Sequence, residues 1–514
     1  MPAIVIATLN ARYSHASLGL RYLRANMGDV RDETRIIEFV LGVKTEAAVE
    51  TLLAGAPRII GFGVYIWNVE ETTRIVAMLK VVAPEVIVVL GGPEVSFEID
   101  AQRICALADH VVTGWGEVTF PILCRQLLAG TAISARVHKG VQAPLADIAL
   151  PYDEYTDEDI ARRHIYVEAS RGCPFKCEFC LSALDKTAWP FDLALFMGEI
   201  DKLWKRGARQ FKFVDRTFNL NVKTSLAILG FFLERLAADR ADPCFVHFEV
   251  VPDHLPDALK EAIQRFPAGS LQLELGIQSF NPEVQKRVSR RQDNERACAN
   301  LRWLRQQSNA HLHVDLIAGL PGETLESFGA GFDRLHALGP HEIQFGILKR
   351  LRGTPIIRHT VAHRMRYNPD APYNILATDE IAFADMQRLA RFARYWDMVA
   401  NSGRFGEALP LLLAGKSAFA QFLQFADWLH AETAQTHQIA MERLFDLLHA
   451  YLTGPRGLAP AIVEAALLDD YARTGARGKL GFMLRSLQTG RVKARSTAAQ
   501  WAATPNRQAR HLPA

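Results

Sequence analysis

Short apolar runs alternate with helix-period stretches twice along this chain, and that alternation restricts it to parallel strands covered by helices. In the first 130 residues the runs are AIVIATLN, RIIEFVL, RIIGFGVYI, VIVVLGG and HVVTG, separated by stretches such as TEAAVETLLAG and VEETTRIVAMLKVV. Five strands with intervening helices predict a doubly wound parallel sheet over residues 1–135. Ligands in such sheets sit beyond the carboxyl ends of the strands. The loops placed there run from Asn10 to Gly19, Gly63 to Asn68, Gly91 to Ser96 and Gly114 to Glu117. Their glycines let backbone lie close to a ligand, although glycine also serves as a plain turn residue. Residues 136–158, with Pro144 and Pro151, read as a linker.

The alternation resumes near His164 with HIYVEAS, QFKFVD, CFVHFEV, LQLELGIQ, HLHVDLIAG and EIQFGIL. Six such βα units predict a partial (β/α)6 barrel over residues 159–365, with its site at the carboxyl ends of the strands. Beyond Arg366 the strand pattern gives way to Ala, Leu, Phe and Trp at helical spacing, so residues 366–488 read as an all-helical domain. Residues 489–514 are polar, basic and aperiodic, and disorder is expected there.

The net charge of +3 points neither to nucleic acid nor to an acidic surface. The basic runs Lys286 to Arg296 and Lys349 to Arg352 read as solvated faces or anion contacts, and nucleic acid is not an expected partner. No stretch reaches the roughly 18 apolar residues of a membrane span. The opening MPAIVIATLN enters a strand without a basic leader, so a cytoplasmic protein is expected.

Chemistry first shows in the cysteines. Of seven, Cys105, Cys124, Cys244 and Cys298 are scattered, while Cys173, Cys177 and Cys180 fall in the loop RGCPFKCEFC directly after HIYVEAS. The scattered four read as small core residues. A zinc knot would want a fourth ligand at short spacing, and His164 lies upstream inside a strand. A dithiol redox pair would not need Cys173. Three thiolates on one loop suit a [4Fe-4S] cluster whose fourth iron is left for an exogenous ligand.

With that spacing, residues 160 to 360 resemble the radical-SAM superfamily. The resemblance implies that the cluster cleaves S-adenosylmethionine (SAM) reductively to a 5′-deoxyadenosyl radical. QFKFVDRTFN would bring Asp215 and Asn219 to SAM, and HFEVVPD would bring Glu249 to its ribose. LELGIQSFNPEV and HVDLIAGLPGET look like segments of oxygen-independent coproporphyrinogen oxidase. They imply SAM contacts from Gln278, Ser279 and Asp315, with Ile317 to Pro321 near the adenine. Taken alone, Asp215, Glu249 and Asp315 read equally well as structural barrel carboxylates.

The N-terminal region resembles the flavodoxin-like cobalamin-binding domain that precedes many radical-SAM modules, on GFGVYIWN, GGPEVS and GWGEVTF. The resemblance implies cobalamin contacts from Asn10, Gly63, Val64, Gly91, Gly92, Gly114 and Glu117. The Asp-x-His-x-x-Gly motif that ligates cobalt in mutases is absent, and His15 reads as a satisfied or substrate-facing histidine rather than a ligand. The whole arrangement, including RYNPDAPYNILATDEIAF, looks like cobalamin-binding radical-SAM proteins with a helical C-terminal domain of unknown function.

The implied function is methylation of an unactivated carbon or phosphinate-type centre, with a flavodoxin or ferredoxin-type electron donor and a substrate that the residues do not identify. Ring formation or rearrangement without methyl transfer, and a non-catalytic cobalamin sensor, remain alternatives. The RNA-modifying methylthiotransferases carry three further cluster cysteines in the N-terminal domain; here only Cys105 and Cys124 lie there, so that relative is set aside. The helical domain is expected to cover the barrel mouth and exclude water. Trp67 and Trp189 are candidates to line that space, against a plain core role.

Overall fold

The first strand, β1 (Ile4–Asn10), has all seven residues buried, because helices cover both of its faces. The computed structural model describes residues 3–239, 241–482 and 504–512. It divides into two units, one of Met1–Arg216, Lys349–Ile357 and Asn368–Asn374, the other of Thr217–Leu348, Arg358–Tyr367 and Ile375–Ala514.

In the first unit β1 is followed by β2 (Thr34–Val40), β3 (Ile59–Gly63), β4 (Ile87–Gly91), β5 (His110–Thr113) and β6 (Val137–Lys139). They form one parallel sheet in the order β2-β1-β3-β4-β5-β6. The order reverses between β1 and β3, which opens a crevice at their carboxyl ends. One side chain set, Val5, Ala7, Phe62 and Leu90, packs on α2 (Thr45–Leu53) and α3 (Val69–Val82) through Leu52, Ile75 and Leu79. The alternate set, Ile4, Ile6, Val89 and Val112, packs on α1 (Leu18–Ala25) and α5 (Thr119–Leu128) through Leu20, Phe120 and Leu123. The short helix α4 (Arg103–Leu107) completes this side-by-side arrangement.

β6 lies in the segment read as a linker. It pairs in parallel with β5, Val111 opposite Val137, but three residues with one apolar side chain carry no legible alternation. The same segment continues into α6 (Asp157–Arg162), capped by reciprocal bonds between Thr156 and Asp159. Arg21 of α1 joins Glu38 at 2.9 Å and Asp159 at 2.8 Å, a buried network extended by Arg163 on Glu38 at 2.9 Å. β7 (Ile165–Val167) then pairs in parallel with β10 (Gln210–Phe213), with β8 (Ser170–Arg171), β9 (Trp189–Pro190) and α7 (Leu193–Lys205) between them.

The second unit continues the βα pattern through α8 (Val222–Ala238), β11 (Phe245–Val250), α9 (Asp257–Gln264), β12 (Leu271–Gln278), α10 (Pro282–Arg287), α11 (Asn294–Gln307), β13 (His311–Ala318), α12 (Leu325–His336) and β14 (Glu342–Ile347). β11 to β14 pair in parallel in sequence order. The C-terminal region opens with a small antiparallel hairpin, β15 (Arg366–Tyr367) and β16 (Ile375–Ala377), which the all-helical expectation omitted. α13 (Phe383–Val399), α14 (Ala408–Leu413), α15 (Ala418–Thr433), α16 (Met441–Thr453) and α17 (Pro460–Thr474) follow. Phe332 of α12 sits edge-on to Phe392 at 5.2 Å and to Trp396 at 4.8 Å, so α13 is bound to the barrel by aromatic packing.

Of the tail expected to be disordered, 489–503 and 513–514 lie outside the described residues. Residues 504–512 contradict the expectation: they carry α18 (Asn506–Ala509), and Arg507 pairs with buried Glu342 at 2.7 Å and Asp397 at 2.6 Å. A basic, aperiodic stretch is ordered here because its partner is a carboxylate inside the fold. No helix among the described residues is long and apolar enough to cross a membrane.

Candidate functional site

Ser170 and Arg171 pair antiparallel with Pro190 and Trp189, which closes residues 172–188 into a loop at its base. Gly172 opens the loop at φ +93°, and a Cβ there would lie 2.6 Å from Thr187 Oγ1 and 2.7 Å from Ala188 N. Only glycine fits that turn. Cys173 N–H donates to the Asp185 carbonyl at 2.9 Å, and Cys180 N–H to the Cys177 carbonyl at 3.1 Å. Asp185 is fixed in turn: its carboxylate accepts from Thr187 Oγ1 at 2.6 Å and from the Trp115 indole at 3.0 Å.

Cys173 and Cys177 are buried and Cys180 is half-buried. Burial pushes the Cys173 thiol up to about 11, so a thiophilic metal must displace a proton there. Among the described residues no three His, Cys, Asp or Glu side chains are arranged to hold a metal ion. A cubane makes a different demand, because it takes one thiolate at each of separate irons.

At the carboxyl ends of β3, β4 and β5, on the side of α1 and α5, lies a cavity of about 290 Å³. Its depth is apolar, walled by Ile6, Leu23, Val89, Val112 and Phe120, and its polar side chains are Glu117, Glu168 and Arg171. Glycines give it room. A Cβ on Gly61 would meet Phe120 Cζ at 2.9 Å, one on Gly116 would meet Leu23 at 2.9 Å, and one on Gly92 would meet the Val64 carbonyl at 2.5 Å. Of the residues expected to contact cobalamin, Gly63, Gly91, Gly92, Gly114 and Glu117 line this cavity. Asn10 and Val64 are not in its lining: Asn10 donates to Glu38 at 2.9 Å, and Val64 N–H to the Gly91 carbonyl at 2.8 Å. His15 Nδ1 lies 2.5 Å from the Tyr166 hydroxyl, as a satisfied histidine would. Trp67 and Trp189 stay half-exposed, Trp67 stacked on Tyr65 at 4.4 Å and Trp189 edge-on to Trp115 at 6.2 Å.

Asp215, in the first unit, is buried after β10 and accepts from Ser170 Oγ at 2.6 Å and Ala169 N–H at 3.0 Å. Burial raises its carboxyl to about 7, and both oxygens serve the strand that leads into the cysteine loop. In the second unit, Asn219 accepts from Val251 N–H at 2.7 Å and donates to the Val251 carbonyl at 2.9 Å, clamping the turn after β11. Glu249 ends β11 opposite Glu274. Gln278 ends β12 at φ +69° with Oε1 buried and unbonded. Ser279 Oγ donates to Glu323 Oε1 at 2.5 Å, leaving Glu323 Oε2 buried without a partner. Asp315 lies 3.3 Å from His313 Nε2, and burial raises its pKa.

The sequence from residue 167 to 335 matches the radical SAM superfamily model, 4–124 the B12 binding domain, and 361–512 a protein of unknown function (DUF4080). The chain is a cobalamin-binding radical-SAM superfamily protein. An uncharacterized methyltransferase of Pyrococcus horikoshii is 24% identical over 373 residues, 68% of this chain and 79% of that one. The cobalamin-dependent radical SAM methyltransferase TokK of Streptomyces tokunonensis is 26% identical over 322 residues, 56% of this chain but only 46% of its own length. Among solved structures, the radical S-adenosylmethionine methyltransferase TsrM of Kitasatospora setae, with cobalamin and a [4Fe-4S] cluster bound, aligns at TM-score 0.58 and 15% identity over 93% of this chain and all of that one.

Sequence reading of this radical-SAM protein missed Trp115, Glu168, Arg171 and Glu323. The first stands inside the GWGEVTF motif; Arg171 and Glu323 take their meaning from Glu117 and Ser279, remote in sequence, and Glu168 from Arg171 three residues on. The basic runs divide: Lys286, Arg291, Arg296 and Lys349 are exposed, while Arg287 donates to the Pro321 carbonyl at 2.9 Å, Arg350 pairs with Glu98 at 2.7 Å and Arg352 with Glu94 at 2.8 Å.

Proposed function

We propose that this chain is a cobalamin-dependent radical-SAM methyltransferase acting on an unactivated carbon. One observation supports the reading above the others: Arg171, the residue immediately before Gly172 and Cys173, also lines the glycine-walled cavity of the B12 binding domain. The cavity and the cysteine loop thus lie within one unit, with Arg171 lining the first and leading into the second.

In this reading Cys173, Cys177 and Cys180 hold a [4Fe-4S] cluster, and the cavity with Gly63, Gly91, Gly92, Gly114 and Glu117 holds cobalamin. When bound, these groups supply the electron that cleaves SAM and the carrier of the methyl group. The protein supplies position. Gly172 and Asp185 fix the loop, and Asp215 holds the strand before it through Ser170 and Ala169. Asn219 sets the turn after β11, while Gln278 and Ser279 offer polar atoms at the end of β12, Glu249 one residue before the end of β11 and Asp315 within β13. The unbonded Gln278 Oε1 is an acceptor suited to a hydroxyl or amine donor. A flavodoxin or ferredoxin-type protein of the cytoplasm would deliver the electron.

The test is anaerobic reconstitution with iron, sulfide and cobalamin, followed by measurement of 5′-deoxyadenosine and S-adenosylhomocysteine. Both products are expected, and a Cys173→Ala/Cys177→Ala/Cys180→Ala variant should yield neither. Preference for zinc over iron, or full turnover in that variant, would remove the reading.

A further inference from the structure

Two contacts join the wall of the cavity to the cysteine loop, and both come from one short segment after β5. Trp115 Nε1 donates to Asp185 Oδ2 at 3.0 Å, and Glu117 Oε1 accepts from Arg171 Nη1 at 2.7 Å. Their partners stand at the two sides of the loop base. Arg171 precedes Gly172, and the Asp185 carbonyl receives the Cys173 N–H at 2.9 Å. The guanidinium of Arg171 is fixed further by Glu168 at 3.1 Å and by the rings of Trp115 at 4.5 Å and Tyr22 at 4.7 Å.

Trp115, Glu117 and Arg171 all face the cavity, so a ligand seated there rests on the atoms that brace the loop. Gly114 (φ +69°) and Gly116 flank Trp115, a backbone that can adopt more than one setting. We propose that Trp115 and Glu117 are positioning residues that couple occupancy of the cavity to the geometry of the cysteine loop, so that cobalamin and the iron–sulfur cluster reinforce each other's binding. The inference rests on the cofactor assignment above. Linkage then requires the effect to run both ways with one factor.

The test measures the affinity of aquacobalamin by anaerobic spectrophotometric titration of the full chain, once with the reconstituted cluster and once in the cluster-free triple-cysteine variant. The cluster-bearing protein should bind on the order of tenfold more tightly. Trp115→Phe keeps the ring and removes the donor; Glu117→Gln keeps the shape and removes the charge. Each should shrink that ratio, and the double variant should bring it to about one, whatever its cluster-free affinity. The reverse arm follows iron loss to a chelator with and without cobalamin, and the protection should vanish in the same double variant. A ratio near one in the unaltered chain, or one unmoved by both substitutions, overturns the coupling. Absence of cobalamin binding with and without the cluster overturns the cofactor assignment itself.

Discussion

Ser279 Oγ donates to Glu323 Oε1 at 2.5 Å, in a pocket where burial raises the Glu323 carboxyl to about 7. A buried carboxyl whose pKa is raised by folding stabilises the folded state below its unfolded value near 4.3, and that stability is lost as pH climbs toward 7. Glu323→Gln keeps the acceptor for Ser279 and removes the titration. Between pH 5 and pH 8 the unaltered chain should therefore lose up to about 3 kcal/mol relative to the variant. Thermal midpoints of both proteins across that range check it; parallel curves would mean that Glu323 does not titrate in the fold.

Gly61 stands mid-strand with Phe120 Cζ 2.9 Å and Ile6 Cγ2 3.4 Å from the place of a Cβ. Gly61→Ala should cost about 1–2 kcal/mol by overpacking and narrow the cavity. Cobalamin affinity should fall on the order of tenfold, while iron content after reconstitution stays unchanged. Equal cobalamin affinity in a folded variant would place the ligand elsewhere.

The glycine and cysteine positions were legible because steric freedom and metal ligation are properties of single residues. Parallel strands were legible for the same local reason, β1 opening with four apolar residues in a row, Ile4 to Ala7, that point to both faces. What the sequence could not display was partnership. Arg507 belongs to a basic tail until Glu342 is known to lie beside it, and β6 is three unremarkable residues until β5 offers its edge. Asp215 and Asn219 carry motif-like surroundings, yet their hydrogen bonds go to Ser170 Oγ and Ala169 N–H and to the Val251 backbone, partners distant in sequence.

Gly172→Ala places a methyl group against Thr187 and Ala188 at a left-handed φ. The strain should cost about 1–3 kcal/mol and loosen the base of the cysteine loop. Anaerobically reconstituted protein should hold less iron and sulfide, with cobalamin uptake reduced less. Full cluster content in the variant would show that the loop tolerates a second conformation.

Glu342 is buried, and although burial opposes its charge, His311 at 3.0 Å, His313 at 3.4 Å and Arg507 at 2.7 Å hold its carboxyl well below the usual range. A depressed carboxylate stabilises the fold above its unfolded pKa and loses that contribution as pH falls through and below about 4.3. Arg507→Ala removes the guanidinium of this set, itself about a third exposed, so its cost should be about 1–3 kcal/mol at neutral pH. The same loss should shrink only as pH falls well below 4, where the carboxyl of the folded state takes up its proton, in the variant first. Thermal midpoints of the two proteins at pH 7 and down the acid range to about pH 2 distinguish this from simple loss of packing, which would keep the gap between them the same at every pH.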